Sequence, residues 1–320
     1  MKHPIRRLLT LGLLSLVAAA SHAQTKPPLR ILVGFPPGGS ADVISRLVAD
    51  ALKDDFSPIV VDNKPGAGGR IALGMAKNAK PDGQTVVVLP SGPMVLFPHV
   101  YKKLDYDAVK DFTPISQIAR FQFGVVASQS SGVKSVAELV AKAKSQPGSV
   151  SYGSAGNGGS AHLAAALLAV QSQTDMIHVP FKGNAPAMTE VMAGRVDFMF
   201  YPMIGMAERE AQKQLRLLAI TTAKRHPDTP QVPTTAEVGF PGFEDYVGPV
   251  GFMAPSGTPA PVLDKLAGAI RDALKKPAVQ QRLQQLGAVQ VASTPQEYRE
   301  WLKKDHARWT QLIKLAQIKE

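Results

Sequence analysis

Residues 30–52 read R-I-L-V-G-F-P-P-G-G-S-A-D-V-I-S-R-L-V-A-D-A-L, and this stretch decides the fold. Residues 30–35 form a short apolar run with the length and β-branched content of a buried strand. Ile44, Leu47, Val48, Ala51 and Leu52 then recur at helical spacing. A strand therefore hands over to a helix within one turn. That turn, Pro36-Pro37-Gly38-Gly39, excludes helix at its prolines and lets backbone N–H groups face a ligand at its glycines; Ser40 is placed to cap the helix behind it. Unpaired amides and partial positive charge at such a helix start make an anion site.

The unit occurs twice. Residues 150–153 read as a strand, 154–159 (S-A-G-N-G-G) as a second glycine-rich loop and 160–170 as a second helix. The segments after each helix also correspond: residues 57–62 and P-G-A-G-G match residues 176–180 and F-K-G-N-A-P-A, and a helix and third strand come next at 84–89 and 195–200. Two copies of strand-loop-helix-strand-helix-strand predict two α/β lobes, each with a mostly parallel sheet and its ligand loops at the carboxyl ends of the strands.

The chain has 320 residues, 45% hydrophobic and 19% charged, which leaves room for two cores at ~100–200 residues each. Residues 1–7 carry Lys2, Arg6 and Arg7 without an acid, residues 8–20 are apolar, and Ser21-His22-Ala23 offers a small-residue cleavage site. Together they predict a signal peptide over residues 1–23 and an exported, periplasmic product. With no cysteine there is neither a disulfide nor an attachment point for a lipid anchor. Removing three positive charges with the leader takes the formal charge from +11 to 11 − 3 = +8. The remaining Lys and Arg are spread over helix faces, with no basic block interleaved with aromatics, so no nucleic-acid partner is expected.

Two chain crossings are expected. Residues 112–118 and 124–127 read as extended pieces separated by a crossing at 119–123, and the strand at 246–254 leads back. The resulting organisation is lobe 1 over residues 24–122, lobe 2 over 123–246 and the rest of lobe 1 over 247–320. The loop Pro90-Ser91-Gly92-Pro93 lies at the same sheet edge as Gly38-Gly39, so Ser91 and Gly92 form a natural second wall of the site. A capping box, Thr294-Pro295-Gln296-Glu297, opens a last helix whose Trp301 and Trp309 read as core.

Catalytic signatures are missing: no H-E-x-x-H, Walker A, G-x-S-x-G or cysteine nucleophile, and the histidines lack metal-ligand spacing. G-x-G-x-x-A at residues 156–161 lacks the acid that would close the next strand of a dinucleotide site. No cofactor and no metal are therefore expected. Asp42 reads first as a stabiliser of the helix start that pairs with Arg46, and His162 as a packed or capping side chain. Lys182, a cation at a strand end facing the cleft, reads equally as a bridge between lobes or a ligand contact. An exported α/β enzyme using Asp42, His162 or Lys182 is the alternative to a non-catalytic receptor.

The motifs F-P-P-G-G-S-A-D-V-I-S-R (35–46), V-D-N-K-P-G-A-G-G (61–69), Y-G-S-A-G-N-G-G-S-A-H-L-A (152–164), H-V-P-F-K-G-N-A-P-A (178–187) and G-R-V-D-F-M-F (194–200) resemble, in order over essentially the whole mature chain, those of the Bug-type solute receptors of tripartite tricarboxylate transporters. The resemblance implies a type II, Venus-flytrap periplasmic-binding-protein fold. It also implies a monomeric receptor that delivers a small organic carboxylate to a membrane permease. Carried over, the ligand carboxylate falls to Pro37, Gly38, Gly39 and Ser40 from one loop and to Ser154, Gly156, Asn157, Gly158, Gly159 and Ser160 from the other. Phe35, Ser91, Gly92, Lys182 and Tyr201 complete the expected set. The chain departs from the family pattern at Tyr201-Pro202 and Pro249-Val250, both expected at the far end of the ligand. Since the far-end loops hold no Arg or Lys, that end is expected to be apolar, aromatic or neutral polar, beside Tyr201, unless Lys182 reaches it.

Overall fold

The computed structural model describes residues 28–90, 92–244 and 247–315. The leader at residues 1–23, the candidate Ser91 and the strand start at Tyr246 lie outside the described residues.

In chain order the elements are β1 (Leu29–Val33), α1 (Ser40–Ala51), β2 (Ile59–Asn63), α2 (Arg70–Lys77), β3 (Thr85–Pro90), α3 (Gly92–Val95), α4 (Phe97–Val100), β4 (Phe112–Ala127), α5 (Val136–Ser145), β5 (Val150–Ser154), α6 (Ser160–Ser172), β6 (Met176–Pro180), α7 (Asn184–Met192), β7 (Phe198–Pro202), α8 (Met206–Ala211), β8 (Arg216–Ile220), β9 (Val247–Pro255), α9 (Ala260–Lys275), α10 (Pro277–Gln285), β10 (Ala288–Gln290) and α11 (Pro295–Leu315). The central strands are apolar on both sides because helices cover both faces of the sheet. Leu29, Ile31 and Val33 of β1, with Val86 and Val88 of β3, enter one core cluster, while Leu32 and Val87 between them enter the other.

Hydrogen-bonded neighbours run β2-β1-β3-β9-β4-β7-β5-β6, with β10 and β8 also paired to β4. The two repeats are legible here: β1 is flanked by parallel β2 and β3, and β5 by parallel β6 and β7. Around β4 the expectation of mostly parallel sheets fails. β9 runs antiparallel to β3 and β4, and β7, β8 and β10 run antiparallel to β4. The reason is that β4 carries the chain out of one lobe and into the other: in the first lobe it runs with β1 and β3, and β9 is the strand that comes back against them, whereas in the second lobe β4 itself enters against β7 and β8.

The crossing itself also differs from expectation. Residues 112–127 form one continuous strand of 16 residues, without a break at 119–123. Residues 112–122 pair with β9 and residues 123–127 with β7, so the strand changes partner between Gln122 and Phe123 while keeping its backbone bonds satisfied. Past β3, where a loop was expected, the chain makes the short helices α3 and α4. α11 buries Trp309 completely, as its apolar spacing predicts, leaves Trp301 half-buried against the core and also buries Tyr298, which the spacing does not single out; it packs on β4 and α3 and also touches α6 of the second lobe.

Candidate functional site

The two loops are built alike. In each, G-G-S-A runs into a helix of 12 or 13 residues: Gly38-Gly39-Ser40-Ala41 into α1 and Gly158-Gly159-Ser160-Ala161 into α6. The first glycine takes a positive φ, +83° at Gly38 and +71° at Gly158, which a side-chain-bearing residue rarely adopts. The second glycine is the extended cap, with φ −76° in both. A side chain four residues on then accepts the first glycine's N–H. Asp42 Oδ2 does so at 2.9 Å from Gly38 N, and His162 Nδ1 at 3.0 Å from Gly158 N. Both loops are thus held with their helix-start amides pointing away from the helix; those of Gly39, Ser40, Ala41, Ser160 and Ala161 have no partner within the helix, while Gly159 N–H donates to the Gly156 carbonyl at 3.4 Å.

Those amides meet in one place. A cavity of ≈ 60 Å³ lies between the loops, and Gly39, Ser40 and Ala41 wall it on one side while Gly159, Ser160 and Ala161 wall it on the other. Gly156 and Gly92 close its edges, and Phe35, Phe97, Phe123, Pro93, Pro202 and Val250 supply an apolar remainder. No described residue lining it is ionisable. The loops approach to contact distance: a Cβ on Gly92 would lie 3.9 Å from Gly159 Cα, and one on Gly156 3.8 Å from Gly68 Cα. Tyr101 Oη also donates to the Asn157 carbonyl across the cleft at 3.2 Å.

Behind the walls sit the groups that hold them. Asp42 is 3% exposed and accepts from Gly38 N–H, from Arg46 Nε at 3.0 Å and from Asn63 Nδ2 at 2.9 Å. Burial pushes its carboxyl up, but the hydrogen bonds from Arg46, Gly38 and Asn63 outweigh that and hold it below the usual range. His162 lies flat on His178, ring centroids 3.8 Å apart, with Tyr152 stacked on the pair. Burial pushes His162 down to about 4; burial and the neighbouring His162 take His178 down to about 3. Both rings are therefore neutral at pH 7, and His162 Nδ1 is free to accept. Asp42, His162 and Arg46 are thereby committed to loop geometry, not to chemistry on a ligand.

Of the expected ligand residues, Phe35, Gly39, Ser40, Gly92, Gly156, Gly159 and Ser160 line the cavity together. Gly38 and Gly158 stand one step back, their N–H groups spent on Asp42 and His162. Five of the expected residues stand elsewhere in the structure. Ser154 is fully buried and its Oγ is taken up by His178 Nε2 at 2.6 Å and by the Gly156 backbone. Pro37, Asn157 and Lys182 line an outer groove of ≈ 830 Å³ at the mouth, where Lys182 is exposed, instead of the inner cavity. Tyr201 faces away: strand alternation puts Phe200 and Pro202 on the cleft side and sends Tyr201 into a core cluster with Val126, Met188 and Val191. Gly68, Phe97, Phe123 and Asn184 also line the cavity; Gly68 and Asn184 fall within the motifs at 61–69 and 178–187 but are not among the expected site residues, and no local motif marks Phe97 or Phe123.

Comparison with known proteins agrees with this architecture. The family model described as "Tripartite tricarboxylate transporter family receptor" matches residues 44–318. Protein BugT of Bordetella pertussis is 31% identical over 93% of this chain and 92% of its own length. Among solved structures, the periplasmic binding protein BugD superposes with TM-score 0.86 at 29% identity, covering 92% of this chain and 99% of BugD. R. palustris Rpa4515 with adipate does so with TM-score 0.87 at 30% identity, covering 92% and 99%. MatC (Rpa3494) from Rhodopseudomonas palustris with bound malate gives TM-score 0.85 at 28% identity, covering 90% and 99%. The chain belongs to the tripartite tricarboxylate transporter receptor family, and within it resembles the Bug proteins.

Proposed function

We propose that this chain is an exported, monomeric, non-catalytic receptor that closes on one small organic carboxylate and presents it to the permease of a tripartite tricarboxylate transporter. The observation that carries this reading is the cavity walled by the matched G-S-A segments of two helix starts and by no ionisable side chain. An anion there meets two sets of backbone donors, each helix start worth ~0.3–1 kcal/mol and up to ~2 kcal/mol where partly buried. One carboxylate is thus held without an arginine. That MatC and Rpa4515 are solved with malate and adipate supports a carboxylate as the ligand class.

The lobes in this reading are residues 24–122 with 247–320, and 123–246, and the ligand set is the cavity-lining subset of the expected residues. The catalytic reading loses its acid and base, since Asp42 and His162 hold their own loops and Lys182 lies on the outer groove. Export follows from the leader, and an intact mass of the secreted protein starting at or near Gln24 is the expected result. The test of function is to incubate the protein with a pool of carboxylates, remove the excess, denature it and identify the compounds released. One unchanged acid per chain is expected. Release of a chemically altered acid would establish an enzyme instead, and release of none would remove the receptor reading.

A further inference from the structure

Tyr101 caps the end of α4 at the mouth of the cleft, and three contacts fix its side chain. The ring packs edge-on against Phe97, with centroids 4.9 Å apart and planes at 63°. The Arg70 guanidinium lies over it, 5.0 Å from the centroid. Its Oη donates to the Asn157 carbonyl at 3.2 Å. Phe97 is a wall of the inner cavity, and Asn157 sits between Gly156 and Gly158 in the second lobe's anion loop. One side chain of the first lobe therefore touches both a wall of the cavity and the loop that the other lobe brings to it. Gly68 and Gly156 line the cavity and the outer groove alike and so form the boundary between them, while Tyr101 and Asn157 line the groove beside that boundary. The glycines meet only by van der Waals contact, so the Tyr101 hydroxyl supplies a directional tie next to them.

From this we propose that Tyr101 is a positioning residue for closure: its hydroxyl fastens the second lobe's anion loop to the first lobe and sets how long a bound carboxylate stays, without touching that carboxylate. The inference rests on the carboxylate-receptor reading above and goes beyond it by assigning the residue that governs release. The bond spans the cleft, so it forms only once the lobes have met and must break before they part. Its loss therefore acts on the dissociation rate and leaves the encounter with the acid alone. A neutral hydrogen bond of this kind changes an equilibrium constant by about threefold to tenfold.

Surface plasmon resonance of the immobilised protein against malate, adipate, succinate, butyrate and benzoate tests this through rates. Tyr101→Phe keeps the ring on Phe97 and under Arg70 and loses only the hydroxyl. For each acid that binds the wild type, it is expected to dissociate about threefold to tenfold faster, with association within about twofold and the melting temperature of the unliganded protein unchanged. A Cβ on Gly183 would come within 2.7 Å of Pro36 Cδ across the cleft and hold the lobes short of full closure. In Gly183→Ala, the further change Tyr101→Phe is therefore expected to add less than about twofold, because the tie it removes is already broken. Wild-type dissociation rates in Tyr101→Phe overturn the inference, as does an effect confined to association. A lower melting temperature of unliganded Tyr101→Phe, or a full additional effect in Gly183→Ala, overturns it in favour of a purely structural role. If acids bind and Tyr101→Phe is unaltered, the receptor reading stands and this inference alone falls. If no acid of this panel binds the wild type, both fall.

Discussion

At the scale of single residues, the two loops depend on the side chain four positions past the first glycine. Asp42 joins Gly38 N–H, Arg46 and Asn63, so Asp42→Ala leaves a buried donor set unpaired. The expected loss is about 1–3 kcal/mol in denaturant unfolding, together with ligand affinity. Stability unchanged within ~0.5 kcal/mol would show that the network is decorative. His162 makes the equivalent bond only while Nδ1 is unprotonated. A histidine in the unfolded chain titrates near ~6.5, whereas His162 in the fold sits at about 4. The unfolded chain therefore takes up protons that the fold refuses. Stability is fully present above ~6.5 and is lost as the pH falls toward 4, and His178, at about 3, extends the loss to lower pH. The melting temperature should drop from pH 7 to pH 4. It should drop less in His162→Asn, which keeps an acceptor near the Nδ1 position and does not titrate; equal slopes in both proteins would contradict this origin of the acid sensitivity.

At the scale of elements, the paired strand-loop-helix units were legible because their signals are local: β-branched runs, glycines where φ is positive, and a helical apolar spacing directly after. The facing of β7 was not. All five of its residues, F-M-F-Y-P, are buried, so no polar side marks which of Tyr201 and Pro202 meets the cleft. Nor was the continuity of β4, because Arg120 and Gln122 interrupt the apolar pattern at the point where the strand passes between sheets and one flank opens to the cleft. Phe97 and Phe123 join the cavity only through packing of elements distant in sequence, which no spacing rule contains. The loop after β6 carries a testable consequence. Gly183 is extended, φ 165°, so any residue suits its backbone, yet a Cβ there would come within 2.7 Å of Pro36 Cδ on the opposite lobe. Gly183→Ala should leave the melting of the unliganded protein unchanged and weaken ligand binding tenfold or more, because the rigid proline ring has no rotamer in which to yield. An unaltered Kd in a titration of this variant would mean that the lobes do not need that approach.

At the scale of the molecule, the loops come from two lobes and meet where Gly92 nears Gly159, Gly68 nears Gly156 and Tyr101 bonds Asn157; in the proposed reading each is half of one site. β4 runs through both lobes, pairing with β9 in one and with β7 and β8 in the other, which is a connection a hinge can use. Ligand bound at about 100 times its Kd adds ~2.7 kcal/mol to the closed folded state, enough for a clear melting shift by which to rank acids. Solution X-ray scattering, recorded with and without a saturating concentration of the acid that gives the largest shift, then tests closure of two half-sites on a carboxylate most directly. The predicted result is a smaller radius of gyration with that acid and no compaction in Gly183→Ala; an unchanged radius of gyration in the saturated wild-type protein would contradict it.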